Sequence, residues 1–230
     1  MTLTLQRRLT VPELSQYPAG LAACPNNNCL YASDWHNDHV HRVELSRSNA
    51  VKKWSVARDP KGLSVNSEHN LIVACCYANK LQIYTMHGSV VREICLQTGV
   101  TKPDHAIQLS TGDYVVSQWK SPDVVSVVGA DGQVVCSYDE SQTSDVGQMK
   151  NPTSLAVTKN DDILVADEGN NRILSIDSSL GSIQELALPV DGGITQQLGL
   201  CLGESRGRLY VGEDGGKRRV LVFDGDVFVS

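Results

Sequence analysis

The chain has 230 residues, with 20 Lys and Arg against 26 Asp and Glu, and a formal net charge of −6. That charge argues against a generally basic nucleic-acid binder, and 41% hydrophobic with 20% charged residues excludes a disordered, collagenous or coiled-coil chain. A chain of this length buries about 70% of its unfolded surface, so one domain over 1–230 is expected, and no apolar run approaches the roughly 20 residues needed to cross a bilayer.

Met1 to Thr10 carries Arg7 and Arg8 but lacks the apolar core and small-residue cleavage site of a secretory signal, so a cytoplasmic location is expected. Leu3–Val11 reads as a strand. Five segments follow, each opening on a Pro or Gly turn and continuing as three short apolar strands separated by polar turns. They run from Pro18 to Val43, Pro60 to Tyr84, Pro103 to Val127, Pro152 to Ile176 and Leu198 to Phe223. A fourth strand is predicted after a turn in several of them: Val90–Cys95, Gln133–Cys136 and Ser182–Leu186. No stretch of a dozen residues carries a helical stripe. The seven cysteines, an odd number in a chain too long for a disulfide scaffold, are read as mostly reduced and buried.

Equivalent positions 20, 62, 105, 154 and 199 are separated by 42, 43, 49 and 45 residues, close to the period of a four-stranded blade. One such sheet cannot cover both of its faces, whereas a radial stack of twisted sheets can. The fold class is therefore all-β, a β-propeller of four-stranded blades with five repeats visible. It is either a five-bladed ring or a six-bladed ring lacking a blade. Both Leu3–Val11 and Asp226–Ser230 stand where an outer strand would complete the last blade.

The repeats resemble NHL-repeat propellers. The fourth carries the pattern best, in Pro152-Thr-Ser-Leu-Ala-Val and Asp162-Ile-Leu-Val-Ala-Asp-Glu-Gly-Asn-Asn-Arg-Ile. The first repeats it as Leu30-Tyr-Ala-Ser-Asp-Trp-His-Asn-Asp-His-Val; Cys75, Gln118 and Glu213 stand at the place of the family's acid in the others. Asp34, Asn37, Asp167, Asn170 and Arg172 are read as structural turn residues. Asp167 is expected to accept N–H groups of the Gly169-Asn170 turn and to pair with Arg172. The resemblance, to the propellers of tripartite-motif-type proteins in particular, implies a module that recruits substrates or RNA within a ubiquitin-ligase assembly. Alone, the chain is expected to have no ligase activity, as a free-standing adaptor or as part of a longer protein.

His36, His39 and His41 lie close to Asp34 and Asp38, but strand alternation puts His39 and His41 on one face while His36 sits in the hairpin loop, and no metal site is assigned. The pairs Cys24/Cys29 and Cys75/Cys76 match no zinc knuckle. Nucleophile elbow, P-loop and dinucleotide fingerprints are missing from the sequence. Lactonase-like and lyase-like propellers, which the architecture resembles, hold an axial divalent metal. Here the innermost strands offer His105 and Gln108 as possible ligands, too few for a hard cation. No cofactor and no catalytic residue are assigned.

The expected function is a non-catalytic loop face for a protein or peptide partner. Its contact residues would be Trp35, His36, Tyr77, Trp119, Lys120, Glu168 and Asp214, with adaptable contacts from Asp139–Asn151. RNA binding and a metal-dependent propeller hydrolase or lactonase-like enzyme are the alternatives. Acidic residues outnumber basic ones on these loops, which weighs against RNA. The sequence assigns no oligomeric state.

Overall fold

Short apolar runs closed by polar turns pair with their immediate neighbours, so every sheet forms from consecutive strands. The computed structural model describes residues 11, 14–15, 18–46, 50–97, 99–118, 123–138, 146–190, 193–203, 207–213 and 219–224. It is a five-bladed β-propeller. Blade 1 contains β1 (Leu21–Cys24), β2 (Cys29–Asp34), β3 (His39–Glu44) and β4 (Val51–Ser55). Blade 2 contains β5 (Pro60–Val65), β6 (Leu71–Cys75), β7 (Lys80–Tyr84) and β8 (Val90–Cys95). Blade 3 contains β9 (Pro103–Gln108), β10 (Tyr114–Gln118), β11 (Val125–Val128) and β12 (Val134–Tyr138). Blade 4 contains β13 (Pro152–Val157), β14 (Ile163–Asp167), β15 (Arg172–Ile176) and β16 (Ile183–Glu185), with a single 3-10 turn at Glu168–Asn170. Blade 5 is described as β17 (Gln197–Gly203), β18 (Arg208–Glu213) and β19 (Arg219–Asp224).

Each sheet is an antiparallel meander in strand order. The first strands β1, β5, β9, β13 and β17 pack successively on one another and so line the axis. Entry to blades 2, 3 and 4 is made by Asp59, Lys102 and Asn151, all left-handed (φ 60°, 50° and 51°), each directly before a proline. The second strands of blades 2, 3 and 4 are buried at every position. This is why Leu71-Ile-Val-Ala-Cys reads as an unbroken apolar run: both of its faces meet a neighbouring blade. Outer strands alternate or open to solvent, as in β8, where Ile94 alone is buried.

Four apolar cores lie between consecutive blades. Tyr31 and Val40 meet Leu63 and Val73 between blades 1 and 2, and Ile72 and Ile83 meet Tyr114 and Val116 between blades 2 and 3. Val115 and Val127 meet Leu155 and Val165 between blades 3 and 4, and Leu164 and Ile173 meet Leu209 and Val211 between blades 4 and 5. Each fully buried aliphatic side chain contributes about 1.5–3 kcal/mol.

Hydrogen bonds close to the axis stitch the same four junctions. Ser33 Oγ donates to Lys61 O at 2.8 Å, and His105 bonds Leu63 O through Nε2 at 3.1 Å. Leu155 N–H donates to His105 Nδ1 at 2.9 Å, and Leu200 N–H to Ser154 Oγ at 3.0 Å. A Cβ on Gly20 would lie 2.4 Å from Lys61 O, and one on Gly62 2.4 Å from the His105 ring, so both glycines permit the close approach of successive inner strands.

The seam from blade 5 to blade 1 differs. A Cβ on Gly199, the equivalent position in β17, meets nothing within 4 Å, and Leu21 on β1 is 69% exposed. Among the described residues no apolar core comparable to the other four joins these two blades. Of the two alternative segments expected to complete the last blade, Asp226–Ser230 and all of Leu3–Val11 except Val11 lie outside the described residues.

Candidate functional site

One hydrogen bond, repeated in every blade, builds the rim. The side chain that ends the second strand accepts the N–H of the linker entering its own blade. Asp34 Oδ2 accepts from Ser15 at 3.0 Å, Gln118 Oε1 from Thr101 at 2.7 Å, Asp167 Oδ1 from Lys150 at 2.6 Å and Glu213 Oε1 from Thr195 at 2.6 Å. In blade 2 the position is Cys75, a weak acceptor, and Gln82 on β7 replaces it by accepting Ala57 N–H at 2.7 Å. The geometry requires an acceptor and not a charge, which explains how the acid of the NHL pattern gives way to glutamine. All four second-strand acceptors are buried, so leaving the linker N–H without them would cost about 1–3 kcal/mol.

Blade 4 adds a second layer to this clamp. Arg172 Nε donates to Asp167 Oδ2 at 2.6 Å, and Asn170 Nδ2 donates to the same oxygen at 2.9 Å. The guanidinium also reaches Val146 O at 2.5 Å and Gln148 O at 3.1 Å, tying the turn to the preceding linker. One detail differs from the sequence expectation: Gly169 N–H donates to Lys150 O at 2.8 Å and not to Asp167. The 3-10 turn at Glu168–Asn170 aims that N–H at the linker, and the carboxylate takes Lys150 N–H instead. In blade 1 Asn37 Nδ2 donates to Asp34 Oδ2 at 2.9 Å. Burial opposes the charged form of Asp34, but hydrogen bonds from Asn37 and Ser15 outweigh it and hold the carboxyl below its ordinary range.

The histidine-rich hairpin does not converge. His36 is exposed and stacks on Trp35 with centroids 3.9 Å apart, His39 bonds Asn37 O, and His41 is buried with Nε2 3.7 Å from Asp34 Oδ2. His41 therefore differs from a surface histidine, because β3 turns it inward beside the blade's buried acid. Among the described residues no three His, Cys, Asp or Glu side chains gather in a metal-binding arrangement.

The two ligand types noted on the inner strands are both engaged. His105 spans blades 2 and 4 by its two ring nitrogens: Nδ1 accepts from Leu155, so Nε2 carries the proton given to Leu63 O. Burial lowers its pKa and favours this neutral form. Gln108 accepts from Asn66 at 2.8 Å and donates to Gly112 O at 3.1 Å. The thiols give no nucleophile among the vicinal pair: burial pushes both Cys75 and Cys76 up to about 12, with the Asp59 charge adding to the second.

The rim itself is polar and aromatic. Trp35 is half-buried, with Lys61 Nζ 4.5 Å from its ring centroid, and Tyr77 is 54% exposed, with the Arg58 guanidinium 5.7 Å from its own. Glu168 is half-buried and accepts from Asn151 Nδ2. Asp59, buried beside Lys61 at 3.6 Å, and the half-buried Asp104 share an electrostatic neighbourhood with Lys61 and Glu168. Trp35, His36, Tyr77 and Glu168 thus lie on turns after second strands of blades 1, 2 and 4. Trp119, Lys120 and Asp214, with 139–145 of the long linker, lie outside the described residues. Asp59, Lys61 and Asp104 flank the prolines that open blades 2 and 3 and count in the sequence among the charges of the loop face, with no motif to mark them further.

Comparison with known proteins agrees with this architecture. The NHL repeat family profile matches residues 149–174, the segment that forms the blade 4 clamp. No curated protein sequence matches the chain. A Bacteroides caccae protein of unknown function is 16% identical with a TM-score of 0.72, over 90% of this chain and 77% of that one. A streptogramin B lyase is 18% identical with a TM-score of 0.67, over 94% and 70%. A chain of a nidogen/laminin complex is 15% identical with a TM-score of 0.68, over 91% and 76%. At these identities the likeness is one of fold, and the fold serves unlike functions.

Proposed function

We propose that this NHL-repeat β-propeller is a non-catalytic recognition module whose rim of second-to-third-strand turns binds a protein or peptide partner. The observation that carries the reading is the repeated clamp. It fixes turns from distant parts of the chain to one rigid rim, which carries the exposed Tyr77 and the half-buried Trp35 with its stacked His36. Rigid presentation lowers the entropy of ordering loops on binding, and aromatic anchors bury large area at small rotamer cost. The engagement of His105 and Gln108 in the inner-strand scaffold favours binding over axial chemistry. By the tripartite-motif resemblance, the partner would be a substrate recruited to a ubiquitin-ligase assembly. Affinity capture with the wild type and a Trp35→Ala/Tyr77→Ala variant tests the reading. It predicts that the variant melts like the wild type and loses the captured partners; undiminished capture would overturn it.

A further inference from the structure

We propose that Cys24 and Cys29 form a peroxide-reactive dithiol, a site at which a hydroperoxide is reduced while the two thiols close into a reversible disulfide across the first hairpin. The site lies at the opposite end of β2 from Trp35 and stands independently of the loop-face reading.

Strand register brings the two thiols together. Cys24 and Cys29 stand directly opposite each other on β1 and β2, at the base of the turn 25–28. Opposed residues of an antiparallel pair have Cα atoms about 4.5–5.5 Å apart and side chains on the same face, within the range that a disulfide spans without backbone movement. Both thiols are free, and each is 1% exposed in the core that they share with Tyr31 between blades 1 and 2. In the described strand registers no other cysteine opposes a cysteine: Cys75 and Cys95 both oppose Lys80, Cys136 opposes Val127 and Cys201 opposes Tyr210.

Two buried donors on the same face lack an acceptor. Tyr31 follows Cys29 by two residues and is paired with Arg42 on β3, so Cys29, Tyr31 and Arg42 all point to one side of the sheet. Tyr31 is 0% and Arg42 3% exposed, yet neither Tyr31 Oη nor Arg42 Nε finds an oxygen or nitrogen acceptor; Arg42 Nη1 donates to Glu44 at 2.9 Å. Such orphaned donors are costly and mark a site that holds a further acceptor in another state. A sulfenic oxygen on Cys29 supplies it. Cys29 Sγ attacks one peroxide oxygen, the O–O bond breaks, and the departing hydroxide takes up the thiol proton as water. Cys24 Sγ then attacks Cys29 Sγ: the S–S bond forms, the S–O bond breaks, and the oxygen leaves with the Cys24 proton as a second water. The two cysteines together lose two electrons and the peroxide gains them. Burial selects the oxidant, because two thiols beneath a turn whose Asn26 and Asn28 are exposed admit a molecule little larger than water more readily than a bulky disulfide.

Treatment of the full chain with hydrogen peroxide, followed by tryptic mass mapping, tests the proposal. The peptide 9–42 carries Cys24, Cys29 and no other cysteine. It is expected to lose two hydrogen atoms at least tenfold faster than any other cysteine-bearing peptide is oxidised, and dithiothreitol should restore it. Oxidised glutathione at the same concentration is expected to react at least tenfold more slowly. In Cys24→Ser, which cannot close the disulfide, dimedone should label Cys29; in Cys29→Ser it should leave Cys24 unlabelled. Tyr31→Phe removes only the hydroxyl and is expected to slow disulfide formation at least fivefold with the melting temperature no lower, a rate change that a packing role alone would not produce. Oxidation of the exposed Cys95 or Cys201 ahead of peptide 9–42, equal reaction with oxidised glutathione, dimedone on Cys24 in place of Cys29, or a Tyr31→Phe variant reacting at the wild-type rate would each overturn the proposal.

Discussion

The side-chain oxygen of Gln118 accepts the Thr101 N–H at 2.7 Å, the same bond that Asp167 makes to Lys150 at 2.6 Å. A neutral amide therefore does the work of the patterned acid. Replacing Gln118 by Leu should cost about 1–3 kcal/mol, because a linker N–H loses its acceptor, whereas Gln118→Glu keeps an acceptor and should cost less. Asp167→Leu should cost about 3–5 kcal/mol, since it also strands Arg172. Urea unfolding of the three variants checks the order.

Asp104 and His105 are neighbours whose pH effects oppose each other. Burial pushes the Asp104 carboxyl up to about 6, against 3.8 ordinarily. Its folded form binds a proton more readily than the unfolded form, so its contribution favours folding at low pH and is lost as pH rises from about 4 through 6. Asp104→Asn should then raise the melting temperature at pH 7 to 8, by a stabilisation on the order of 1–2 kcal/mol, and the advantage should vanish below pH 4.

For His105 the sign is reversed. Burial lowers its pKa below 6.5, so the unfolded chain takes up a proton first and stability falls as pH drops below 6.5. Protonation would also remove the acceptor for Leu155 N–H. His105→Gln should flatten the acid limb of the stability profile between 6.5 and the onset of carboxylate protonation, measured by thermal melts across pH.

The seam makes a prediction by contrast. Leu21, 69% exposed on β1, and Leu63, 4% exposed on β5, both belong to inner strands. Leu63→Ala should cost about 2–5 kcal/mol, while Leu21→Asp should change stability by less than about 0.5 kcal/mol. A large loss at Leu21 would show that this face of blade 1 is covered in solution.

The five blades were legible because each repeats the same alternation of apolar run and polar turn at nearly constant spacing, and the second strands' unbroken runs record burial on both faces. The clamp was legible in blade 4, where Asp167 and Arg172 are five residues apart and meet on paired strands. It was hidden in blade 2, where Gln82 on β7 takes the linker N–H that Cys75 can accept only weakly; nothing in the order of residues announces that exchange. His105 stood out as a ligand type on an inner strand, but its partners Leu63 O and Leu155 N are backbone atoms, and backbone has no signature in a sequence. The Lys61–Trp35 contact joins the start of β5 to a turn of blade 1, so it exists only once the ring is assembled.

The central claim is that recognition happens on the rim of second-to-third-strand turns, and site-specific photo-crosslinking tests it most directly. A photoreactive residue at position 77 should trap the partner, and one at position 135, more exposed still but on the outer strand β12, should not. Trapping from position 135 with none from position 77 would contradict the claim.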